Sequence, residues 1–64
     1  MDLKRIRKVS KLSQVDLAFR AGVSQTVVSI LEKYPDFPGF QNAKEKISKA
    51  LGINKNDLFP IQKS

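Results

Sequence analysis

The sequence predicts an all-α domain of five short helices, and three observations predict it. Apolar residues recur at three- and four-residue spacing and nowhere alternate as a strand would. Helix-start chemistry repeats: Leu12, Ser13, Asp16 and Leu17 of "LSQVDL" return as Ile53, Asn54, Asp57 and Leu58 of "INKNDL". Each frame offers a cap, an acid at N3 that can return the hydrogen bond, and a hydrophobic staple from N′ to N4. Helix-stop chemistry repeats as well, because Gly22 and Gly52 each end a helical stretch just before an apolar residue. That is the pattern of a left-handed glycine followed by a side chain that packs back.

The elements follow in order. Leu3, Ile6 and Val9 give one apolar side to a first helix, roughly residues 2 to 9, whose other side is Lys4, Arg5, Lys8 and Lys11. A second helix opens after the Ser13 cap and runs from about Gln14 to Arg20. A third runs from about Gln25 to Lys33, with Val23 and Val28 stapled around Ser24, although its N3 residue is Val27 rather than an acid. "YPDFPGF" cannot continue a helix, since Pro35 and Pro38 each restrict the residue before them. Phe40, Ala43, Ile47, Ala50 and Leu51 form the stripe of a fourth helix, and Asn54 to Phe59 make a short fifth.

Composition narrows the function. The chain has 64 residues, enough for one small domain with a thin core. Twelve Lys and Arg against six Asp and Glu give a net charge of +6, which attracts polyanions, nucleic acid before an anionic membrane surface. With no His or Cys and with scattered acids, the chain is poorly supplied for catalysis, and it has neither a phosphate-binding glycine loop nor metal-ligand spacing. No enzyme, metal or cofactor is expected. No apolar run approaches the ~18 residues of a membrane span and no signal-peptide core is present, so the expectation is a soluble, cytoplasmic protein.

The second and third helices meet through "RAGV", a turn whose glycine reverses the chain, which suggests a helix-turn-helix with its second helix available to a DNA major groove. At about 100° per residue, Val28 and Leu31 share the core direction, with Val27 at its edge and Ile30 more than a quarter turn away. Gln25, Thr26, Ser29 and Lys33 lie on the other sides. Small uncharged side chains with one aliphatic group suit a groove floor: Gln bonds adenine in bidentate fashion, Thr and Ser donate or accept, and an aliphatic group meets the thymine methyl. An acid at position 27 would face phosphate, whereas the positive helix end beside Ser24 and Gln25 attracts it. Val27 packing on the second helix is the other account.

"LKRIRKVSKLSQVDLAFRAGVSQTVVSILEK", continued by "ISKALGINKNDLF", resembles the DNA-binding domain of the phage repressor and Cro family, the XRE or lambda-repressor-like family. The resemblance implies a single compact five-helix domain over residues 1 to 64, with the helix-turn-helix at about 13 to 33. It implies sequence-specific binding of a double-stranded DNA operator by a transcriptional regulator, a repressor above all. It places Gln25, Thr26, Ser29 and Ile30 at base edges. Gln14 falls on phosphate, as do Ser24, Lys33, Gln41, Asn42 and Lys44, and Arg7 with Glu32 forms a structural ion pair. Ile30 stands where many relatives carry Arg or Gln, so it either meets a methyl group or packs on Phe37 or Tyr34. Lys44 stands where relatives often have an apolar residue.

Because one recognition helix reads few base pairs, a homodimer is expected at least on DNA, with half-sites about 34 Å apart. Leu58, Phe59 and Ile61 are its candidate surface, or Leu58 instead completes the monomer core. The alternative function is an antitoxin that uses the same helices on DNA and also holds a protein toxin. Against it, no tail is expected beyond Ser64 to wrap one.

Overall fold

The computed structural model describes residues 2–59. Among them are five helices and no strand: α1 (Leu3–Val9), α2 (Gln14–Ala21), α3 (Gln25–Lys33), α4 (Gln41–Leu51) and α5 (Lys55–Leu58). None is long and apolar enough to cross a membrane. The radius of gyration is 10.4 Å, as expected for a compact chain of this length, about 11 Å.

Side-chain caps start four of the five helices. Asp2, Ser13, Ser24 and Asn54 each accept a backbone N–H from the first turn of α1, α2, α3 and α5. At α2 the capping box is complete: the Asp16 N–H donates to Ser13 Oγ at 3.0 Å and the Ser13 N–H donates back to Asp16 Oδ2 at 3.2 Å. Those bonds hold the Asp16 carboxyl below the usual carboxylate range. The frame at α5 differs, because Asn54 Oδ1 accepts from the Asn56 N–H at 2.9 Å, one position short of Asp57. α4 has no side-chain cap, and Phe40, expected on its apolar stripe, stands before it with a left-handed φ of 60°.

Three helix ends share one bond pattern. Val23 N–H reaches Ala18 O and Gly22 N–H reaches Phe19 O; Ile53 and Gly52 repeat this on Ser48 and Lys49. Leu12 and Lys11 repeat it on Arg7 and Lys8. These are Schellman closures, with Gly22 at φ 72°, Gly52 at φ 69° and Lys11 at φ 60°. In each, the residue after the left-handed position packs against the core.

The core is Leu3, Leu17, Ala18, Val28, Leu31, Ile47, Leu58 and Phe59. α2 packs on both α3 and α4, α4 carries α5, and α1 leans on α3. Three expectations are corrected. Val9 is 75% exposed, because the inward positions of α1 are Leu3, Ile6 and Arg7, and Val9 lies about a third of a turn from them. Ala50 is exposed, while Lys44 and Ser48 join Ile47 on the inner face of α4. Phe59, expected on a dimer surface, is 2% exposed and belongs to the core, beside Leu58 at 0%, which takes the core alternative. Ile61, the third residue of that candidate surface, lies outside the described residues.

Candidate nucleic-acid interface

The candidate surface is built on α3. Its start is fixed by Ser24, whose Oγ accepts the Val27 N–H at 3.2 Å, and its entry angle by the Gly22 closure of α2. Val28 and Leu31, both 0% exposed, lock its inner face into the core. Rotation about the helix axis is therefore settled by burial, and the outer face follows from it. Gln25, Thr26 and Ser29 are exposed and Ile30 is half-buried. Together with Gln14 from the start of α2 they line one open concavity. Ile30 is thus the aliphatic member of this uncharged surface.

The one acid of α3 lies at the edge of that face, three residues after Ser29 and seven after Gln25. Glu32 is held by Arg7, whose Nε donates to Oε2 and whose Nη2 donates to Oε1 at 3.3 Å. Arg7 Nη1 also donates to the Leu12 carbonyl at 2.8 Å, the last link of the α1 closure. Gln14 Nε2 donates to Glu32 Oε1 at 3.0 Å. One carboxylate thus ties α1, α2 and α3 together, with side-chain exposures of only 10% for Arg7 and 5% for Glu32. The pairing neutralises the negative charge at the edge of the outer face, and the Gln14 bond fixes which way its amide points.

A second concavity joins the starts of α3 and α4. Ser24 and Val27 line it from α3, and Phe40, Gln41, Asn42 and Lys46 from the start of α4. Val27 serves two purposes there, packing against the core while lining this hollow. Gln41 is partly committed, its Nε2 donating to the Pro38 carbonyl at 2.9 Å. Lys33, at the far end of α3, is exposed, with its ammonium 5.6 Å from the Tyr34 ring centre.

Lys44 is a correction. It was expected on phosphate, yet it is 4% exposed, and its ammonium donates to the Phe37 carbonyl and lies 5.8 Å from the Phe59 ring centre. Burial pushes it below the usual lysine range, nearby Lys55 adds to the push, and Asp36 offsets part of it. The signal was in the spacing: position 44 sits three before Ile47 and seven before Leu51, on the inward stripe. Lys46, two residues on and exposed beside Gln41 and Asn42, is the cation of this surface that sequence reasoning missed.

A scan against protein-family models, a search of curated proteins and a search of solved structures each found no match for this chain.

Proposed function

We propose that this chain is a helix-turn-helix domain of the repressor and Cro type that binds duplex DNA in the major groove and regulates transcription, most simply as a repressor. The observation that carries the reading is the concavity of Gln14, Gln25, Thr26, Ser29 and Ile30. Its polar groups match the donors and acceptors of base edges, and its aliphatic residue suits a thymine methyl. The supporting electrostatics are a net charge of +6 and the neutralisation of Glu32 by Arg7. Ser24, Asn42 and Lys46, around the neighbouring hollow, are the polar groups offered to a flanking phosphate, for position rather than sequence discrimination.

Selection of bound duplexes from a randomised pool, followed by sequencing, tests this directly. An enriched motif with affinity that falls steeply with salt is expected, because each neutralised phosphate releases counterions. Binding without enrichment would reduce the domain to a nonspecific cation, and salt-insensitive binding would reject the groove altogether.

One observation favours the antitoxin reading as a second account. Phe19 is 87% exposed and Val15, one turn before it on α2, is 55% exposed, an apolar spot that DNA binding leaves unused. Loss of a co-purifying protein on Phe19→Ser, with DNA binding intact, would bring that account forward.

A further inference from the structure

Four helices of this chain begin on a side-chain cap, and α4 does not. It follows Phe40, whose left-handed φ of 60° strains a residue with a Cβ and persists only where neighbours hold it. Two side chains of α4 reach back to do so. Gln41 Nε2 donates to the Pro38 carbonyl at 2.9 Å, and the Lys44 ammonium donates to the Phe37 carbonyl. The two bonds are not equal. Gln41 is exposed, so water, or an anion in the adjoining hollow, competes for its amide. Lys44 is 4% exposed, and its bond is sheltered. The Lys44 N–H also donates to the Phe40 carbonyl at 2.9 Å. One residue thus holds the chain on both sides of the bend at Pro38 and Gly39.

Core packing does not ask for a cation here. Position 44 shares the inner face of α4 with Ile47, where an apolar side chain of like length would fill the space without desolvating a charge. What the ammonium supplies and a methyl group cannot is a directed bond. The residue it holds passes that direction on. The Phe37 ring stacks on Phe40 with centres 5.2 Å apart, and a Cβ at Gly39 would lie 2.7 Å from the Phe37 ring. Phe40 in turn lines the hollow that Gln41, Asn42 and Lys46 share with Ser24 and Val27. We propose that Lys44 is a positioning residue for DNA binding. Through the Phe37 carbonyl and the Phe37–Phe40 stack it sets the start of α4 relative to the start of α3, and so the spacing of the groups offered to a flanking phosphate. The use of that spacing rests on the DNA-binding reading; the positioning itself does not. Lys44, being buried, meets no phosphate, and base preference stays with the outer residues of α3.

Two variants of the whole chain reach these contacts from opposite ends. Lys44→Met keeps the apolar stem and removes the bond and one charge, whereas Gly39→Ala keeps the net charge and displaces the Phe37 ring. Backbone residual dipolar couplings, measured without DNA, report orientation rather than chemical neighbourhood. In both variants the couplings of α2 and α3 should still fit one frame, while those of residues 40–46 depart from it. Couplings identical to those of the natural chain would overturn the positioning, whatever happens on DNA. In fluorescence anisotropy both variants should lose about tenfold in affinity on preferred and scrambled duplexes alike, because a phosphate contact is lost and no base contact is. The slope of log affinity against log salt should fall by about one. A loss in Lys44→Met alone would assign the effect to the missing charge and overturn the proposal. Displaced couplings with unchanged affinity would leave Lys44 a tie within the fold and overturn its role on DNA. A natural chain that binds no duplex would sink the DNA reading, and the couplings would then decide the positioning alone.

Discussion

Gln25 presents an amide with a donor and an acceptor at the first position of α3, exposed and backed by the rigid Ser24 cap. In the proposed groove such a side chain discriminates one base, and Gln25→Ala should lower affinity for the preferred duplex by about 1–3 kcal/mol. Fluorescence anisotropy on preferred and scrambled duplexes checks it; equal losses on both would make Gln25 a positioning residue. Lys44 is the counterpart in the core, a cation whose protonated form is opposed by burial. Its folded pKa lies below its unfolded one, so the unfolded chain holds the extra proton and Lys44's contribution to stability rises as pH climbs through that window. Lys44→Met keeps the stem's packing and should stay within about 1 kcal/mol of the natural chain. Lys44→Ala, which also opens a cavity, should cost about 2–3 kcal/mol. Urea unfolding between neutral pH and the ordinary lysine range should show the rise flattened in Lys44→Met. An identical pH slope in that variant would remove Lys44 as its cause.

Helix ends follow local chemistry, and the sequence was most legible there. Ser13 with Asp16 and the glycines at 22 and 52 are recognisable without tertiary information, because a cap, a returning acid and a left-handed glycine act within six residues. Lys11 escaped that reading, since it makes the same closure with no glycine to mark it. Phe40 escaped it too, starting α4 without a side-chain cap. Which face of a helix turns inward is a long-range matter, and there periodicity misled at Val9 and was not applied to Lys44. At the candidate site, the outer residues of α3 were legible because Val28 and Leu31 fix its rotation; Lys46 was not, because its role depends on where the start of α4 lies. The Lys11 closure yields a prediction: Lys11→Gly relieves a strained φ and should stabilise the domain by about 0.5–1 kcal/mol. That corresponds to roughly 4 °C in Tm for a domain this small. Thermal unfolding by circular dichroism measures it, and a lower Tm would mean that the lysine side chain contributes more than its backbone strain removes.

For the molecule as a whole, the question is what holds α1 in place, since that helix buries only Leu3 and Arg7 fully. The answer is the group of bonds around Glu32. Arg7 spans from α1 to the end of α3 and to the Leu12 carbonyl, while Gln14 brings in the first turn of α2. Glu32→Ala leaves a buried guanidinium with one remaining partner, the Leu12 carbonyl, a situation that costs about 3 kcal/mol or more. Domains of this size have total stabilities of about 3–10 kcal/mol, so the loss is a large share and should appear as a large fall in the urea midpoint. The pair is not the most stable solution chemically, because two charges must be desolvated to form it. Replacing both members with apolar residues, Arg7→Met with Glu32→Leu, should therefore cost less than Glu32→Ala alone. That double variant would also release the Gln14 amide beside Gln25, so it should bind DNA more weakly while folding well. A double variant less stable than the single one would show that the network contributes stability beyond the neutralisation of a buried charge. An unchanged midpoint in Glu32→Ala would mean that α1 is held by Leu3 and Ile6 alone.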